Sequence, residues 1–120
     1  MLPAEHRVTD ASTFSEVVRR GTRTSRPTLV VHRWTDTRQD SGTRGPVRAG
    51  FVVSKAVGGA VVRNRVKRRL RHLVAAQIRS GAWEDGTVLV VRARPAAADA
   101  DSARLSADLE RAGLDRAVAR

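Results

Sequence analysis

Apolar residues recur along this chain in two rhythms. Val62, Val66, Leu70, Leu73 and Ile78, with Val74 beside them, fall three or four apart, the spacing of one helix face. That spacing predicts a long helix over 60–79, entered through a Gly58-Gly59 turn and ended at Gly81. The second rhythm is the β-branched run, found at 28–34, 47–54 and 87–92, which predicts three strands. Pro27 suits the start of the first, because proline cannot donate to a ladder, and a shorter strand fits 22–25. Phe14, Val17 and Val18 mark one side of a short helix to Arg20, capped by Asp10 or Ser12 and stopped by Gly21. Leu105, Leu109 and Ala112 mark a last helix capped by Ser102. The 12-residue link between Trp34 and Val47 predicts a hairpin with an extended tip.

The order helix, strands, long helix, strand, helix predicts an α+β fold. It is read as one small two-layer sandwich over 1–120, with helices packed on a four-stranded, mostly antiparallel sheet. Residues 36–46 form a polar loop in this reading. At 120 residues and 41% hydrophobic content, one modest core is what the chain can build.

Charge changes the picture most. The formal net charge is +11 and the sequence pI about 11.8. Between Asp40 and Glu84 there is no acidic residue, while Arg44, Arg48, Lys55, Arg63, Arg65, Lys67, Arg68, Arg69, Arg71 and Arg79 are all basic. Such a balance points to nucleic acid, because phosphate contacts release condensed counterions. The preponderance of arginine favours RNA, since its planar fork binds phosphate bidentately and stacks on bases. On the long helix Arg63, Lys67 and Arg71 are four apart and share a face, which Arg65, Arg68, Arg69 and His72 widen. A solvated charge run is the usual reading of such a stretch. Here like charges at i,i+4 repel by a few tenths of a kcal/mol per pair with no acid to relieve them, and a polyanion partner accounts for them better. Asn64 reads either as a surface asparagine or as a ligand for ribose or a base edge.

Of the aromatics Phe14, Trp34, Phe51 and Trp83, Phe14 is the best candidate for stacking on a base, and Trp83 reads as packing near a turn. The absence of cysteine excludes disulfides and thiolate metal sites. His6, His32 and His72 are scattered, and the acids have no spacing that gathers them on a metal, so no catalytic and no metal-binding residue is expected in the protein. No apolar run approaches the roughly 20 residues of a membrane span. The expectation is a cytoplasmic protein with no membrane attachment. A ribosome-associated structural protein, a double-stranded DNA binder and a protein-only nuclease remain open on these grounds alone.

The stretch Val53-Ser54-Lys55-Ala56-Val57-Gly58-Gly59-Ala60-Val61-Val62-Arg63-Asn64-Arg65-Val66-Lys67-Arg68 resembles the basic-helix signature of the bacterial ribonuclease P protein component. Leu2-Pro3, Arg7, Phe14, Gly21, Arg26 and Ala93-Arg94-Pro95 extend the similarity over most of the chain. The resemblance implies a ribosomal protein S5 domain 2-like fold with a left-handed βαβ crossover, against the usual right-handed rule. It also implies an accessory subunit of a tRNA 5′-processing endoribonuclease, in which RNA carries the catalytic groups. Its partners would be the ribonuclease P catalytic RNA and precursor tRNA, with no stable protein partner required, and its cofactor Mg2+ bound mainly by the RNA. Arg63, Asn64, Arg65, Arg68 and Arg69 would face the catalytic RNA. Lys67 and Arg71, also on the RNA-binding helix, would lie nearer the single-stranded 5′ leader, with Phe14 and Lys55 along the leader cleft. Positions 18 and 31 are valine where some relatives place an aromatic lining that cleft, which implies that leader binding here leans more on charge and the apolar sheet face.

Overall fold

The computed structural model describes residues 2–8, 10–35 and 46–118. Its elements are α1 (Ala11–Arg20), β1 (Thr22–Ser25), β2 (Leu29–Thr35), β3 (Arg48–Val52), α2 (Ala60–Arg79), β4 (Thr87–Ala93) and α3 (Ser102–Val118). Short 3-10 turns at Ala4–His6 and Pro95–Ala98, which the apolar pattern does not mark, precede α1 and α3. The four strands form one sheet in the order β1-β2-β4-β3, antiparallel except for the parallel pair β3 and β4. The α+β class and the mostly antiparallel four-stranded sheet thus hold, and β3-α2-β4 is the βαβ unit.

The expected hairpin between the second and third strands does not form. Strand β4 lies between them, and the hairpin is made instead by β1 and β2, with Arg26 N–H donating to Leu29 O at 2.8 Å. The reason is burial on both faces. From Thr87 to Val91 every β4 residue is buried, so the strand takes an interior position with a neighbour on each edge. Strand β3 is shorter than the 47–54 run suggests and stays at the edge. The loop expected at 36–46 lies outside the described residues apart from Pro46.

Alternation along the strands builds two layers. Leu29 and Val31 of β2, Leu89, Val91 and Ala93 of β4, and Ala49 of β3 join Val66, Leu70 and Val74 of α2 and Leu105 and Leu109 of α3 in the main core. Each of those leucines and valines contributes about 1.5–3 kcal/mol through burial. On the other face Val88 and Val90 meet Val17 of α1 and Val8, with Phe14, Trp34 and Val52 packed around them. Val18, expected on the inner side of α1, is 39% exposed.

Caps fix where the helices end. The Asp10 carboxylate accepts from Thr13 N–H at 3.0 Å and from the Ser12 hydroxyl at 2.8 Å, and the Thr13 hydroxyl also donates to it. The Thr13 and Ser12 hydrogen bonds lower its pKa to about 2. Helix α2 closes with Gly81 at φ 77°, whose N–H donates to Ile78 O while Ala82 N–H donates to Gln77 O. That paired closure needs a left-handed residue, which glycine supplies without steric cost. Buried Trp83 then donates its Nε1–H to Gln77 Oε1 at 3.1 Å. For α3 the cap is Asp101 and not Ser102: Arg104 N–H donates to Asp101 Oδ1 at 2.8 Å.

Helix α3 is pinned to the sheet by Asp108. Thr28 donates to its Oδ2 from both N–H (3.0 Å) and hydroxyl (2.6 Å), and Arg26 Nε lies 3.7 Å from Oδ1. Burial pushes this carboxyl up, but the Thr28 hydrogen bonds, Arg104 and Arg26 outweigh it and hold the pKa below the ordinary value.

Candidate nucleic-acid interface

Helix α2 turns Val66, Leu70, Val74 and Ala75 into the core, and the basic residues between them emerge along its remaining surface. They divide into three groups.

Lys67 and Arg71, one turn apart, overhang a cavity of about 310 Å³ at the β3 edge of the sheet. Its other walls are Leu2, Arg7, Val8, Phe14, Ala49, Gly50 and Phe51. Phe14 reaches the cavity from α1 because Gly50 lets it lie against β3: a Cβ on Gly50 would stand 2.3 Å from Phe14 Cζ. Phe14 is half-buried, neither a full core residue nor a free platform.

A second, larger hollow of about 560 Å³ opens over the outer surface of α2, lined by Asn64, Lys67, Arg68, Arg71 and His72. Lys67 and Arg71 belong to both. The third group faces the segment leading to α3. There Arg65 Nη2 donates to Ala98 O at 3.4 Å and Arg69 Nη1 donates to Ala100 O at 3.2 Å. The Nε atoms of Arg63 and Arg65 are buried with no hydrogen-bond partner among the described residues.

The sequence-predicted residues therefore separate. Phe14, Lys67 and Arg71 converge on one cavity, and Asn64, Lys67, Arg68 and Arg71 on another. Arg65 and Arg69 are turned to backbone carbonyls, so they form an anchored flank of the helix and not part of either hollow. Exposed Lys55 does not line the Phe14 cavity: the chain leaves the sheet at Val52 and turns, with Val57 N–H donating to Ser54 O, which carries Lys55 past it. Val31 does not line it either. Strand alternation puts Val31 in the core beneath α2 and α3, while its neighbour His32 has the opposite parity. Burial, then Arg92 and Arg23, lower the His32 pKa and so disfavour its charged form.

Sequence reasoning missed Leu2, Arg7, Val8, Ala49, Gly50 and Phe51 as cavity walls. Gly50 carried a usable signal, since a lone glycine inside a strand pattern marks close approach. Among the described residues no group of three His, Asp or Glu side chains is placed to hold a metal ion, and no helix is long and apolar enough to cross a membrane.

The ribonuclease P family model matches residues 2–117. The chain belongs to the ribonuclease P protein family. It is 54% identical to the ribonuclease P protein component of Streptomyces bikiniensis over 115 residues, covering 93% of this chain and 92% of that one. Against the same component from Mycobacterium avium identity is 47%, covering 92% and 91%. The solved RNase P protein of Staphylococcus aureus superposes with a TM-score of 0.73 at 25% identity, covering 93% of this chain and 94% of that one. The RNase P protein of Thermotoga maritima gives 0.71 at 22% identity, over 88% and 92%, a likeness of fold. Family membership makes the chain a protein subunit of a ribonucleoprotein in tRNA processing, with a ribonuclease P RNA as its partner.

Proposed function

We propose that this subunit grips two stretches of RNA with one helix. The outer surface of α2, through Arg63, Asn64 and Arg68, binds the catalytic RNA, and the cavity under Lys67 and Arg71 takes the single-stranded 5′ leader of precursor tRNA. The observation that carries this reading is the double membership of Lys67 and Arg71, which border both hollows. Two cations there neutralise phosphates on either side, and Phe14 offers a half-exposed ring to an unstacked base. The protein's groups bind and orient. In this reading cleavage of the phosphodiester, to leave the mature 5′ end, falls to the RNA with magnesium.

The test is reconstitution. Purified protein is mixed with a bacterial ribonuclease P RNA and a precursor tRNA at magnesium low enough that the RNA alone cleaves poorly. Restored release of the 5′ leader at the mature end is expected. No stimulation, with the RNA active at high magnesium and the protein folded, would sink the reading and favour a ribosomal RNA-binding role. Leader release without added RNA would instead reveal a protein-only nuclease.

A further inference from the structure

The N-terminal segment is not a loose tail. Leu2 is buried in the core beneath α2, whereas Val8 belongs to the cluster under α1, so residues 2–8 wrap the β3 edge from one layer to the other. Two fastenings hold them there. Arg7 forms a parallel bridge with Ala49, within which Val8 N–H donates to Ala49 O at 3.1 Å, and His6 Nδ1 lies 2.6 Å from Val47 O. A carbonyl only accepts, so Nδ1 carries the proton. The strap also covers an edge strand that would otherwise expose a row of unpaired backbone groups.

Its side chains Leu2, Arg7 and Val8 line the Phe14 cavity together with Lys67 and Arg71 of α2, and the charged member on the strap is Arg7. The Arg7 Nε donates to Leu2 O at 2.8 Å, which fixes the plane of the guanidinium. The two Nη groups, on an exposed side chain, meet no acceptor among the described residues. A guanidinium held by one nitrogen with two left to donate is arranged for a phosphate oxygen.

We infer that Arg7 is a third phosphate ligand of this cavity, so that a nucleotide seated on Phe14 is held from both walls, by Arg7 on the strap and by Lys67 and Arg71 on α2. The inference rests on the cavity being the leader site. It deepens that reading by assigning the strap a share of the electrostatic grip, and it makes grip depend on the strap being seated.

The experiment measures dissociation constants of the assembled holoenzyme for precursor tRNA with a leader and for mature tRNA without one, across a salt series. Arg7→Gln is the informative variant, because its amide can still donate to Leu2 O while the charge is gone. Arg7→Lys restores the charge, and Arg111→Ala on α3 is the remote control. Arg7→Gln should weaken leader-bearing substrate about fivefold to tenfold and lower the salt slope by about 0.7, the share of one phosphate on a single strand. Mature tRNA binding and assembly with the catalytic RNA should not change, and Arg7→Lys should recover part of the loss. If Lys67→Ala weakens leader binding while Arg7→Gln leaves it and the slope untouched, the strap is structural only and the inference falls. If Lys67→Ala is also silent, the leader reading of the cavity falls with it.

Discussion

Two flanks of one helix carry the same residue type to different ends. On the open flank of α2, Arg68 and Arg71 border hollows with no acidic neighbour on the helix. On the anchored flank, Arg65 and Arg69 reach across to the carbonyls of Ala98 and Ala100, in the segment that leads into α3. Both arrangements relieve the repulsion of a helix without acids, one through a partner yet to arrive and the other through dipoles already in the fold. A basic stripe is therefore not one functional unit. Position around the helix decides whether an arginine is left open or fastened to a carbonyl.

The sharpest break of that comparison is charge reversal on the open side. On the proposed reading Arg68→Glu replaces a phosphate contact by repulsion, and holoenzyme assembly should weaken about a hundredfold at moderate salt, the scale of a lost charge-assisted hydrogen bond. The free protein should melt as before. Binding titrations against the catalytic RNA beside a thermal melt give the answer, and a fall in melting temperature matching the loss of assembly would erase the distinction between flanks.

The anchored side should show the inverse pattern. Arg65→Ala with Arg69→Ala deletes two half-buried hydrogen bonds, costing about 2 kcal/mol in stability or roughly 8 °C in melting temperature. Once the variant is folded at low temperature, its salt slope for RNA should stay close to that of the parent. A slope lowered by about 2 would mean that both arginines let go of their carbonyls and contact phosphate.

How much of this the sequence could tell follows from where each partner lies. Helix α2 is legible over 60–79 because its apolar spacing, glycine entry and glycine exit are local signals that agree. Sheet order is not, since an apolar run reads alike at an edge or in the middle, and only the demand of β4 for cover on both faces puts it between β2 and β3. The pairing of Lys67 with Arg71 follows from helical spacing, but their meeting with Phe14 and Arg7 depends on strands and a strap far away in the chain. Val31 illustrates how fine the margin is: a shift of one residue along a strand exchanges the two faces. Arg65 and Arg69 look like their neighbours because backbone carbonyls at Ala98 and Ala100 have no sequence signature.

The smallest expected effect probes what stands behind the anchored flank. The segment from Ala98 to Ala100 is held in place by α3, and α3 is tied to the sheet by Asp108 through Thr28. Because the folded carboxyl has a pKa below its ordinary value of 3.8, Asp108 stabilises the fold above that value and loses the contribution as pH falls through the folded pKa. Asp108→Asn keeps one acceptor for Thr28 but no charge, so it should cost about 1 kcal/mol near neutral pH. That gap should begin to narrow as pH drops below 3.8 and close further as pH falls through the lower folded pKa, where the parent carboxyl itself becomes protonated. Urea unfolding at a series of pH values measures the gap. At neutral pH the variant should assemble with the catalytic RNA as the parent does, because the open flank does not depend on Asp108. A gap that stays constant into acid would show that packing of α3, and not the charge on Asp108, supports the segment that Arg65 and Arg69 hold.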